Sequence, residues 1–146
     1  MSKQFTAEQI ALLRVVIDRL RKYPETYDQG MYYIHDPGVG QGVYPEGLCG
    51  TKCCLAGHLV LAAGMPKPPY KLDSLSLAIW FHVTATRLLG LDTLHSDRLF
   101  GWQWPQRYER AWLRASHAGD MQGKAYAAIS LLEDLIEKGP MVLNEE

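Results

Sequence analysis

"GLCGTKCCLAGHLVLAAGMP", residues 47–66, holds all three cysteines of the chain within six positions, with a histidine shortly after. Its reading decides the fold. Taken as a helix starting near Thr51, it places Cys54, Leu55, His58, Leu59, Leu61 and Ala62 on one broad face. Cys53, Gly57, Val60 and Gly64 fall on another, small enough for a neighbouring backbone to come close. With few charges anywhere, such a helix is buried on most sides. Gly64 is a natural C-terminal cap and Pro66 lies just beyond it. The apolar run is too short to span a bilayer.

Working outward, the flanks are also helical. Thr6 followed by Gln9 is a capping-box pattern, and Ile10, Leu13, Ile17 and Leu20 recur at helical spacing, which predicts a helix over 7–22. Pro24 discourages its continuation. On the other side, Asp73 or Ser74 can cap a helix that runs to Leu89 and closes at Gly90. "TLHSDRLFG" reads as a short helix, and "WPQRYERAWLRASH" as another with Pro105 in its first turn. Asp120 opens the last helix, whose apolar stripe is Ala125, Ala128, Ile129, Leu132, Leu135 and Ile136. Gly139 and Pro140 end it, and 139–146 is expected to be a loose tail.

Between 24 and 50 the helical period disappears. Aromatic residues alternate there with glycine and proline, the composition of turns, and "MYYI" and "GVY" could pair as a small hairpin around "DPGVGQ". The expected fold is therefore all-α: one domain over 1–146, a compact bundle of about five helices with a long irregular loop between the first two.

Composition narrows the function classes. The chain has 146 residues, of which 47% are hydrophobic and 21% charged, the balance of a globular protein able to bury a core. A net charge of -1 disfavours nucleic acid as the main partner, because phosphate binders carry a clear excess of Lys and Arg. The opening "MSKQFTAEQI" lacks a secretory pattern, and an odd number of cysteines suits reduced thiols, so a cytoplasmic setting without a membrane partner is expected.

Three readings compete for the cysteine segment. Free cysteine most often behaves as a small buried hydrophobe, so core packing, with His58 hydrogen-bonded inside, comes first. A zinc site would draw on Cys49, Cys54 and His58, with His35 from the loop as fourth ligand, since zinc favours thiolate and imidazole. The spacing C-x-x-x-C-C-x-x-x-H lacks the paired C-x-x-C knuckles of strong zinc motifs. A thiol enzyme would use Cys53 or Cys54 in a first helical turn beside Lys52, with His35, His58 or His82 as base; Cys54 with His58 is the catalytic alternative. "CGTKCC" faintly echoes the C-G-S-C-W stretch of papain-like proteases, but lacks its aromatic residue and its distant histidine.

The loop offers little more. Gly38, Gly40 and Gly42 of "DPGVGQG" do not run directly into a helix and have no Walker lysine, so turn chemistry explains them. Asp28, Asp36 and Glu46 are carboxylates with no fixed separation. The richer stretch is "FGWQWPQRYERAWLR", where aromatic residues interleave with Arg107, Arg110 and Arg114 at helical spacing. Such aromatics most often cross-link helices in a core, while Trp, Tyr and Arg are also the anchors of protein interfaces. The expectation is a protein-binding or self-associating module without catalysis, with Trp102, Trp104, Arg107, Tyr108, Arg110 and Arg114 as candidate contacts and no cofactor.

"CGTKCCLAGHLVLAAG", with "YDQGMYY" before it and "LGLDTLHSDRLFGWQWP" after it, resembles a group of small bacterial and phage proteins. These share a C-G-T-x-x-C-[IL]-A-G signature, a leucine-glycine-leucine segment and an LF…WP segment. The matching positions are Cys49, Gly50, Thr51, Cys54, Leu55, Ala56 and Gly57, then Leu89, Gly90 and Leu91, then Leu99, Phe100, Trp104 and Pro105. Members of the group often carry an aromatic residue where this chain has His58, which argues against His58 as a required ligand. The resemblance implies fold and cytoplasmic location, and no particular activity.

Overall fold

A computed structural model of the chain describes residues 4–27, 55–64, 74–100 and 103–145. Six α-helices lie among them: α1 (Ala7–Lys22), α2 (Leu55–Ala62), α3 (Ser74–Leu89), α4 (Thr93–Phe100), α5 (Gln106–His117) and α6 (Met121–Lys138). The all-α expectation holds. The stretch 28–54, where the loop, its hairpin and the start of the second helix were expected, lies outside the described residues.

Local chemistry explains the helix limits. The Thr6 hydroxyl accepts from the Gln9 N–H at 3.1 Å and the Gln9 side chain accepts from the Thr6 N–H at 2.9 Å, so two otherwise unpaired donors are satisfied reciprocally. Arg19, Arg21 and Lys22 occupy the last turn of α1, where cations suit the helix dipole. Between α5 and α6 the chain reverses at Gly119, whose φ of 68° is open to glycine without strain. The Asp120 N–H then donates to Ala115 O at 2.8 Å, and the Asp120 carboxylate caps the Gly123 N–H at 2.9 Å.

The core follows from the apolar periods. Leu13, Val16, Ile17 and Leu20 of α1 are buried, and so is every residue from Leu55 to Val60 in α2, which matches a helix apolar on all sides. Phe81, Ala85 and Leu89 recur every four residues on the inner face of α3. The central element is α6, which packs against α1 on one side and α5 on the other. Its expected stripe is buried through Ala125, Ala128, Ile129, Leu132 and Leu135, with Ile136 at the rim.

One expectation fails. Residues 140–144 are not a loose tail: Pro140–Asn144 forms a 3-10 turn in which Pro140, Val142 and Leu143 are buried against α4 and α6. Burying Val142 and Leu143 contributes about 3–6 kcal/mol. Ordering the five residues costs about 5–10 kcal/mol, so the polar contacts described below decide whether the turn stays seated. No described helix is long and apolar enough to cross a membrane.

Candidate functional site

The aromatic-arginine segment divides cleanly in three dimensions. Trp104, Tyr108 and Trp112 are only 6%, 4% and 7% exposed: Tyr108 and Trp112, four apart, share the face of α5 turned toward the core, and Trp104 is buried just before the helix begins. Trp104 is fixed by its indole N–H, which donates to Leu99 O at 2.8 Å. The Lys124 ammonium lies 5.3 Å from the Trp112 ring. Trp102 lies outside the described residues.

The arginines separate in turn. Arg107 is neutralised: it reaches Asp134 at 3.4 Å and Glu145 at 3.0 Å, and it covers the Tyr108 ring at 4.6 Å. The Tyr108 hydroxyl donates to the Asp134 carboxylate and receives a hydrogen bond from Arg107. Burial, then the hydrogen bond to Asp134 and its negative charge, push the phenol well above the ordinary tyrosine range. Arg110 and Arg114 are exposed. Arg110 donates to Gln106 at 3.1 Å, and among the described residues neither arginine has a carboxylate partner. With Leu113, 40% exposed, and His117, they form a continuous stripe at i, i+3, i+4 and i+7 along the outer face of α5.

No family model, curated protein or solved structure matches the chain.

Of the cysteine-centred set, the described residues hold the alternative base His82, which lies in the α3/α4 cluster below, and His58. His58 is fully buried in α2, with its ring centroid 6.5 Å from that of Tyr27. Cys49, Cys53, Cys54 and His35 lie outside them. Among the described residues no three His, Cys, Asp or Glu side chains gather as a metal site would require.

A polar cluster between α3 and α4 was not foreseen from the sequence. Ser96, buried, stands 2.9 Å from His82 Nε2 and also meets the Thr86 hydroxyl, while Asp97 Oδ1 lies 3.5 Å from the same imidazole nitrogen. Ser, His and Asp side by side invite comparison with a catalytic triad, but the geometry differs. In a triad the carboxylate holds Nδ1 and leaves Nε2 free to take the serine proton. Here Asp97 and Ser96 share Nε2. No signal in the sequence joins these residues, because the contact depends on how two helices cross.

The start of α4 carries a second histidine. Asp92 caps it by accepting from the His95 N–H at 2.8 Å and contacts His95 Nδ1 at 2.9 Å. The backbone N–H first, then the imidazole, hold the Asp92 carboxyl below its usual range. His95 Nε2 meets Asn144 Oδ1 at 3.0 Å. A shallow groove of about 350 Å³ runs between α1 and α6, where Arg21 pairs with Glu133 at 3.1 Å and Arg14, Asp18 and Glu137 line the rest. Its charges alternate and largely cancel.

Proposed function

We propose that the chain is a protein-binding module whose outer α5 face engages an acidic protein surface. The observation that carries this reading is the stripe of Arg110, Leu113, Arg114 and His117: two exposed arginines without a carboxylate partner among the described residues, beside an exposed leucine and an exposed histidine. Arg107, one turn away, is by contrast paired with Asp134 and Glu145. Arginine joined to apolar area is the chemistry of interface anchors, since it can make bidentate contacts to carboxylates while its stem covers apolar surface. The aromatics behind the stripe hold α5 rigidly against α6, which presents the cations at fixed spacing.

The test compares affinity capture by the wild-type chain with capture by R110E/R114E, at low and high salt. Proteins held by the wild type and released by both the double substitution and added salt are expected. Equal capture by the two chains, with both folded by circular dichroism, would overturn the reading.

A further inference from the structure

The outer face of α5 carries a pattern that recurs, with its charges changed, on two other helices. Arg110, Leu113 and Arg114 set charge, apolar group and charge at i, i+3 and i+4. On α6, Glu133, Ile136 and Glu137 have the same spacing with the opposite sign. On α1, Arg14, Ile17 and Asp18 have it with mixed sign. These two triplets together line the α1/α6 groove of about 350 Å³.

The open charges of stripe and groove are the inverse of each other. In the groove, Asp18 and Glu137 are exposed with no cationic partner among the described residues, and Arg14 is exposed with no anionic one. On α5, Arg110 and Arg114 lack a carboxylate partner among those residues, and Glu109 at the edge of the stripe lacks a cation. Two anions and one cation therefore face two cations and one anion. The Arg21–Glu133 pair lies within the groove and adds no net charge.

The shapes agree as well. Leu113 stands between its arginines as the partly exposed Ile136 stands between its glutamates. Side chains at i and i+4 lie about 6 Å apart on any helix, so one register sets both arginines against both glutamates. A ridge of such side chains is what packs into the groove between two helices. Within one chain the two surfaces do not meet, because the stripe faces away from α6 while the groove lies on the α1 side of that helix.

We propose that the α1/α6 groove of a second copy of this chain receives the outer face of α5. The proposal rests on the reading of that face as a protein-binding surface and names its partner. Stripe and groove are different surfaces, so the contact is heterologous and association runs head to tail.

Sedimentation velocity on the full chain tests it, with R110A/R114A removing the charges of the stripe and D18A/E137A those of the groove. All four side chains are exposed, so both variants should fold. Wild type should self-associate at low salt and dissociate as salt rises. Each variant alone should associate at least about tenfold more weakly. Their equimolar mixture should form a 1:1 dimer and nothing larger, because it holds one intact stripe and one intact groove. Wild type that stays monomeric up to about 1 mM at low salt overturns the proposal. So does D18A/E137A that associates as wild type does, or a mixture that stays monomeric. Affinity capture separates this outcome from the fate of the α5 reading. A monomeric wild type whose stripe holds a different acidic protein keeps that reading and overturns the second copy, whereas R110A/R114A that matches wild type in capture and in association overturns both.

Discussion

Ser96 accepts a hydrogen bond from His82 Nε2 and donates its own to Thr86. The Thr86 hydroxyl donates to the His82 carbonyl at 2.7 Å, which uses its single proton. The close Thr86–Ser96 contact therefore takes its proton from Ser96, and the 2.9 Å contact between Ser96 and His82 Nε2 takes its proton from the imidazole. The chain of donors runs His82 to Ser96 to Thr86 to backbone, the reverse of nucleophile activation. It ties α4 to α3.

Two consequences can be checked. Ser96→Ala is expected to destabilise the fold by about 1–3 kcal/mol, because it leaves the His82 N–H and the Thr86 oxygen short of a partner in a largely closed site. Urea unfolding measures this. A serine-directed fluorophosphonate should leave no adduct on Ser96 in peptide mapping; labelling there would show that the donor order is wrong.

Tyr108 makes stability sensitive to alkali. Its folded pKa lies above the unfolded value of about 10, so the unfolded chain loses the proton first as pH rises. The contribution is complete below about pH 10 and declines above it. Wild type should therefore lose more stability between pH 9 and pH 11 than Tyr108→Phe does. At pH 8 the same substitution should cost about 1–2 kcal/mol by removing the hydrogen bond to Asp134. An equal alkaline loss in both chains would mean that Tyr108 is not the group responsible.

Gly123→Ala should destabilise, against the usual preference for alanine in helices. A Cβ there would stand 2.9 Å from the Ala115 Cβ and 2.5 Å from Asp120 Oδ2, the carboxylate that caps α6. Losing the cap and spreading α5 from α6 should outweigh a propensity gain of about 1 kcal/mol. A higher melting temperature in Gly123→Ala would contradict this account of the turn.

Trp104→Phe keeps most of the buried ring but removes the donor to Leu99 O, and should cost about 1–3 kcal/mol. Trp104→Ala should cost more, about 3–5 kcal/mol, through the cavity. Thermal unfolding of the pair separates the hydrogen bond from the packing.

What the sequence determined by itself is the set of local decisions. Thr6 with Gln9, Asp120 and Gly139 mark helix ends through hydrogen bonds that reach only three or four residues, so they are visible in the order of residues. The apolar run from Leu55 to Val60 likewise requires burial on every side wherever it sits. Even the burial of Tyr108 and Trp112 was present as a spacing of four, though the same aromatics also suited an interface. The tertiary structure decided what depends on neighbours distant in the chain. It seated Val142 and Leu143 against α4 and α6, and it neutralised Arg107 with Asp134 and Glu145 while leaving Arg110 and Arg114 exposed. It also joined His82 to Ser96 across fourteen positions. Side-chain hydrogen bonds and buried faces form between whichever surfaces the packed helices bring together, and no local pattern encodes that pairing.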